Sequence, residues 1–262
     1  MIDFHAINPL YSVAGFLVGG LVGFTGVGGG ALMTPILVLL FNFHPATAVG
    51  TDLLYASITK TCGTLVHGHN DTVDWRITRR LAAGSIPATI ITLLLLFKYG
   101  HDNEGAGSLI TTVLGIALIL TAITLVFRKW ILTHLAEYLD GLPDSKIRLL
   151  TNLLGAALGV LVSLSSVGAG AIGVTALLLL YPKLPTVRIV GSDIAHAVPL
   201  TLVAGAGHWL LGTVDWVLLV SLLLGSIPGI IIGSQLAALV PDRILRPILA
   251  GTLAIVGAKL SI

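Results

Sequence analysis

Charge is what this sequence lacks. Of 262 residues only 10% are Asp, Glu, Lys or Arg, while 55% are hydrophobic and the mean hydropathy is +1.01. Soluble domains carry about 25% charged residues, because a water-facing surface must be covered with them. A lipid-facing surface needs almost none, so the composition defines an integral membrane protein. The net charge of +2 is too small for nucleic-acid binding. Cysteine is nearly absent too. The single Cys62 excludes an intrachain disulfide and a thiolate metal cluster, and reads as a small apolar filler. His67-Gly68-His69 has no supporting ligand cluster, so neither metal nor cofactor is expected. No Lys or Arg precedes the first apolar run, so that run is read as a retained span rather than a cleaved signal.

Apolar runs are abundant. They divide the chain into ten candidate helices at about 9–25, 30–42, 46–66, 77–98, 107–127, 148–165, 170–182, 187–210, 216–239 and 246–261. Most approach the ~20 residues that a helix needs to cross a bilayer, but the second and seventh are short.

The two halves are copies. GVGGGA at 26–31 matches SVGAGA at 166–171, and Pro45 matches Pro185, with an offset of 140. At an offset of 141, Gly50-Thr51-Asp52 matches Gly191-Ser192-Asp193, His67 matches His208, TVDW at 72–75 matches 213–216, and GSIP at 84–87 matches 225–228. The expected organisation is a first repeat at 1–127, a cytoplasmic linker at 128–147 and a second repeat at 148–262.

Positive charge orients the copies. With five segments per half, one side receives Arg76, Arg79, Arg80, Arg128, Lys129, Lys146, Arg148, Lys183, Arg188, Arg243 and Arg246. The other receives Lys98 and Lys259, with Lys60 inside a segment. The basic side is cytoplasmic by the positive-inside rule, which puts both termini outside. Odd parity then makes the repeats inverted. Merging each short segment with its predecessor would divide the basic residues more evenly. The expected fold is thus an all-α integral membrane protein of about ten segments in two inverted-topology repeats.

Gly26 to Ala31 fits the dinucleotide pattern G-x-G-x-x-G/A, and Asp52 lies 22 residues after Gly30. Membrane segments flank the run, however, and Asp52 falls in a helix, so the nucleotide reading fails. Glycine runs that open short helices instead mark breaks at membrane depth, where free N–H groups and a partial positive charge suit an anion. Interrupted helices in inverted repeats point to a transporter with a midplane site. The competing reading is close helix packing through small residues.

The candidate substrate-binding residues are Gly28, Gly29, Gly30, Ala31 and Thr51 in one half. Gly168, Ala169, Gly170, Ala171 and Ser192 are their counterparts. Asp52, Lys60, Asp193 and His196 are candidates for gating, charge balance or proton coupling, because ionisable groups inside spans are costly and rare. Asp52 and Lys60 lie two turns apart, about 12 Å along the axis, too far for a direct pair. Lys60 suits an anion as counter-charge, and equally suits snorkelling or a distant carboxylate. Asp193 and His196 are i, i+3 neighbours, able to relay protons or to serve as a structural pair. His67 and His208, with Trp75 and Trp216 nearby, read as interface anchors, and Asp144 as a solvated loop charge.

These residues resemble the TauE/SafE sulfite exporters, also called four-toluene sulfonate uptake permeases. The resemblance covers roughly residues 10–260 and rests on the repeat, the early GVGGG with Pro35 after it, the HPATAVGTD turn and the late GSIPG at 225–229. SVGAG departs from the glycine run. The resemblance implies a cell-membrane transporter of sulfite or small organosulfur anions. The expected partners are then a small anionic substrate and the lipid bilayer, with coupled protons following from the reading of Asp52, Lys60, Asp193 and His196 above. An anion channel of the same architecture, or a membrane-embedded enzyme, are the alternatives. No nucleophile and base stand at a spacing that supports the enzyme.

Overall fold

The computed structural model describes residues 8–25, 30–69, 72–99, 103–139 and 141–236. Nine helices lie within them: α1 Pro9–Thr25, α2 Gly30–Leu39, α3 Pro45–His69, α4 Trp75–Tyr99, α5 Asn103–Leu139, α6 Asp144–Ser165, α7 Ala171–Leu180, α8 Thr186–Leu210 and α9 Trp216–Leu236. The tenth expected segment, 246–261, lies outside the described residues. Four of the helices, within α4, α5, α6 and α8, are long and apolar enough to cross a membrane. α2 and α7 have ten residues each, about 15 Å, half a bilayer core.

Helix starts follow from local chemistry. Pro45 opens α3, where a missing N–H costs nothing, and Pro185 and Pro143 sit at the N-caps of α8 and α6. The aspartates of the two TVDW segments cap α4 and α9. Asp74 Oδ1 accepts the N–H groups of Arg76 and Ile77 at 3.0 and 3.3 Å, and Asp215 Oδ1 accepts that of Leu218 at 2.9 Å. At the other end, α5 runs on as one helix through residues 128–139.

Helices at equivalent repeat positions pack alike. α1 packs along α9 and α6 packs along α4. A Cβ on Gly19 would stand 2.5 Å from the Ser226 carbonyl oxygen, and one on Gly159 would stand 2.5 Å from that of Ser85. Each pair is related by the repeat offset. Bilayer helices associate through such backbone approach rather than through hydrophobic expulsion, which lipid does not supply.

Asp144 is exposed, as expected of a solvated charge, but it opens α6 rather than lying in a loop and is ion-paired. It receives both Arg76 and Arg80, at 2.8 and 2.7 Å, and Arg80 also donates to the Tyr181 hydroxyl at 3.2 Å. Tyr181 meets Thr151 at 2.8 Å, so these residues tie α4, α6 and the end of α7 together. Arg80 is buried and Asp144 exposed, so the pair sits where the bundle meets its polar boundary.

Candidate functional site

α3 and α8 pack against each other and carry the ionisable residues of the interior. Asp52, Asp193 and His196 are fully or almost fully buried, and Lys60 is 7% exposed. Burial of four titratable groups in an apolar bundle is expensive unless each is compensated.

The compensation differs between the two aspartates. Asp52 Oδ2 accepts a short hydrogen bond, 2.5 Å, from the Thr34 hydroxyl of α2. Ser166 lies beside it without closing a hydrogen bond. Oδ1 of Asp52 and Oδ1 of Asp193 each lack a hydrogen-bond partner, and that of Asp193 lies over α7, where a Cβ on Gly173 would come within 2.6 Å of it. The Lys60 ammonium is in Coulombic range of both carboxylates, more strongly of Asp193. Neither carboxylate closes to an ion pair with it: among the described residues such pairs occur at Asp144.

The repeat offset accounts for this asymmetry. The positions equivalent to Thr34, Ser166 and Lys60 are Val174, Gly26 and Thr201. Asp52 therefore has the Thr34 hydroxyl on one oxygen, and Asp193 has no hydroxyl at the equivalent place. His196 Nε2 meets the Ser85 hydroxyl of α4 at 2.8 Å, while its Nδ1 is without a partner. Its repeat equivalent, Tyr55, lies beside Thr59 and Ser226 of α9, which are 3.1 Å apart. Sequence reasoning missed Thr34, Ser85, Ser166 and Gly173. The repeated GSIP was available as a signal, since its serine is the polar side chain of the motif in each copy.

The Ser166–Gly170 break is a buried departure from helix. Ser166 caps α6 in the left-handed region at φ 59°, and Gly168 has φ 118°, which favours glycine. Val167, Ala169 and Ala171 are buried. The first α7 amides to find backbone acceptors are those of Gly173 and Val174, on the Gly168 and Gly170 carbonyls. Those of Ala171 and Ile172 have none among the described residues. Of the matching glycine run, Gly28 and Gly29 lie outside the described residues. Gly30 opens α2, with Ala31 in its first turn.

Thr51 and Ser192 have taken positioning duties. The backbone N–H of Asp215 donates to Thr51 Oγ1 at 3.0 Å, and that of Asp74 to Ser192 Oγ at 2.8 Å. Each TVDW turn thus docks on the other half. Gly50 and Gly191 admit these turns: a Cβ on Gly50 would lie 2.6 Å from the Thr213 carbonyl oxygen, and one on Gly191 would collide with that of Thr72.

His208 is not an interface anchor. It is 1% exposed, with Nε2 2.9 Å from the Ser163 carbonyl oxygen and Nδ1 3.0 Å from Thr213 Oγ1. The ring also lines a cavity of about 380 Å³, together with His44, Thr47, Gly107, Leu211 and Thr213. Trp209 and Trp216, stacked edge to face at 5.7 Å and half exposed, supply the aromatic boundary expected of that end. The side chain of His67 lies outside the described set.

Helices of bilayer length, two half-length helices and ionisable groups buried between them define a multi-pass membrane protein with a polar interior. The chain belongs to the sulfite exporter TauE/SafE family, which it matches over residues 11–260. Among its relatives is a probable membrane transporter protein of Bacillus subtilis, YjnA, 39% identical over 94% of this chain and 96% of its own length. A second from the same organism, YdhB, is 28% identical over the same shares. A probable membrane transporter protein of Methanocaldococcus jannaschii is 27% identical over 78% of this chain and 72% of its own. No solved structure matches the chain.

Proposed function

We propose that this protein is a secondary transporter of small sulfur-containing anions, of the sulfite or organosulfonate class, working by alternating access between two inverted repeats. The observation that carries the reading is the Ser166–Gly170 break, where the Ala171 and Ile172 amides of α7 face a buried region without backbone acceptors. Such amides, with the positive end of the helix behind them, favour an anion. The Ser166 hydroxyl, buried and without a hydrogen-bond partner, is a further donor there. The first repeat contributes the Gly28 to Ala31 run on the same logic.

Asp52, Lys60, Asp193 and His196 balance charge and gate the site. Thr51 and Ser192 hold the TVDW turns that link the halves. The cavity beside His208 is the vestibule on the extracytoplasmic side, and the Arg80–Asp144 end faces the cytoplasm of a cell whose membrane holds the protein. Both termini lie outside. The family and the names of its relatives support transport rather than chemistry.

The test is a panel of sulfite, thiosulfate, methanesulfonate and sulfate, read by thermal stabilisation of purified protein and by uptake into liposomes. Saturable uptake that responds to an imposed pH gradient is expected, and Ala169→Leu should abolish it by filling the break. Ohmic single-channel currents would replace the transporter with a channel, and binding unaffected by Ala169→Leu would remove the break from the site.

A further inference from the structure

The two half-length helices end against different partners. This inference rests on the transport reading above, in which substrate reaches the glycine runs from both faces of the membrane. α7 runs from the Ser166–Gly170 break to Tyr181, and α2 runs from Gly30 toward Phe41, whose N–H closes on the Ile36 carbonyl at 3.3 Å. About 15 Å of helix therefore stands between each glycine run and the nearer face. Substrate passes only when that end moves aside.

The helices that hold those ends are paired backbone to backbone. In α4 and α6, Gly84 lies against the Asn152 carbonyl oxygen and Gly155 against that of Leu81. In α1 and α9, Gly225 lies against the Ser12 carbonyl oxygen and Gly15 against that of Leu222. None of the four has room for a Cβ, so each pair moves as one body.

α7 and α2 reach these pairs through side chains. The Tyr181 hydroxyl stands 2.8 Å from Thr151 Oγ1 of α6 and accepts from Arg80 of α4 at 3.2 Å, while Arg80 is paired with Asp144 at 2.7 Å. In the other copy Phe41 replaces Tyr181 and Tyr11 replaces Thr151, at the offset of 140, and Ser221 replaces Arg80 at 141. The contact there is between ring edges and faces: Tyr11 meets Phe41 at 4.9 Å and Phe43 at 5.6 Å between centroids. Ser221 turns its hydroxyl back to the Val217 carbonyl of its own helix. The TVDW turns dock alike at both ends, on Ser192 and Thr51, and so do not distinguish them.

We infer that the ends of α7 and α2 are the two gates, the first latched by charge through Arg80, Asp144 and Tyr181, the second by the aromatic contact of Tyr11 with Phe41 and Phe43. Opening of the two gates then answers to different conditions. Asp144 is 59% exposed, so salt on the cytoplasmic side screens its attraction for Arg80 and loosens α7. The ring contacts carry no net charge and lack that control.

A thiol placed in the break reads each gate separately. In Cys62→Ala protein, Ala169→Cys should react slowly with a charged, impermeant thiol reagent from either face of oriented vesicles. Tyr181→Phe and Asp144→Asn should each speed the reaction about tenfold from the cytoplasmic face alone, the factor expected for losing a hydrogen bond to a charged group. Tyr11→Ala should speed it from the outer face alone. With the latches intact, added salt should speed cytoplasmic labelling and leave outer labelling unchanged. Acceleration from the same face by Tyr181→Phe and Tyr11→Ala, acceleration by neither, or an equal salt response at both faces would overturn the inference. The anions of the panel should protect the introduced thiol. Gates that respond as stated without protection by any anion would remove the anion from the break and leave the gates standing.

Discussion

The Ser85 hydroxyl stands 2.8 Å from Nε2 of His196, and the repeat-equivalent Ser226 stands 3.1 Å from the Thr59 hydroxyl. Both join the fourth helix of one copy to the third helix of the other. A buried ring nitrogen that loses its partner costs about 1–3 kcal/mol. Ser85→Ala should therefore lower the thermal midpoint of detergent-solubilised protein clearly. Ser226→Ala should do less, because Thr59 can bond along its own helix. Equal midpoints for the two variants would contradict this assignment.

Adjacent glycines in α1 separate packing from propensity. A Cβ on Gly19 would lie 2.5 Å from the Ser226 carbonyl oxygen, whereas on Gly20 the nearest atom is the Gly229 carbonyl oxygen at 3.7 Å. Gly19→Ala should destabilise by about 1–3 kcal/mol through overpacking. Gly20→Ala should change stability by about 0.5 kcal/mol or less, in either direction. Unfolding in mixed detergent compares them directly, and a tolerated Gly19→Ala would mean that α1 and α9 can separate.

The two TVDW turns should respond alike. Asp74→Ala removes a helix cap worth about 1 kcal/mol, and Asp215→Ala the same at α9. Thr51→Val and Ser192→Ala leave a backbone N–H of the opposite half without its acceptor. Hydrogen exchange should accelerate at Asp215 in the first and at Asp74 in the second, with the other turn unaffected.

Arg76 and Arg80 share Asp144 but differ in surroundings. Arg76 is 65% exposed, so its pair is screened by solvent and salt, while Arg80 is 9% exposed and also bonds Tyr181. Arg80→Ala should depress the melting temperature, and Arg76→Ala should leave it nearly unchanged. Similar effects would place Arg80 in a more solvated position than the one described.

Sidedness is read with thiols. After Cys62→Ala, a cysteine at Asp144 should react with an impermeant reagent in inside-out vesicles, and one at Leu211 in right-side-out vesicles. Labelling of both from one side would refute the inverted arrangement.

Helix existence and placement were legible in the sequence, because lipid forces every backbone polar group into helical bonds and hydropathy then marks the spans. The nine described helices fall on the expected segments, and the repeat offset brought Asp52, Asp193, Thr51 and Ser192 forward as pairs. The repeat, the GVGGG run with Pro35 after it, the HPATAVGTD turn and the late GSIPG sufficed for the family. Periodicity along one helix cannot say what faces it from another. Only the tertiary structure decided that Thr51 and Ser192 hold turns of the opposite half, that His208 is buried on Ser163, and that the Thr34 hydroxyl bonds Asp52. Those relationships depend on side chains meeting across α2, α3, α4, α7 and α8, distances that sequence spacing does not encode.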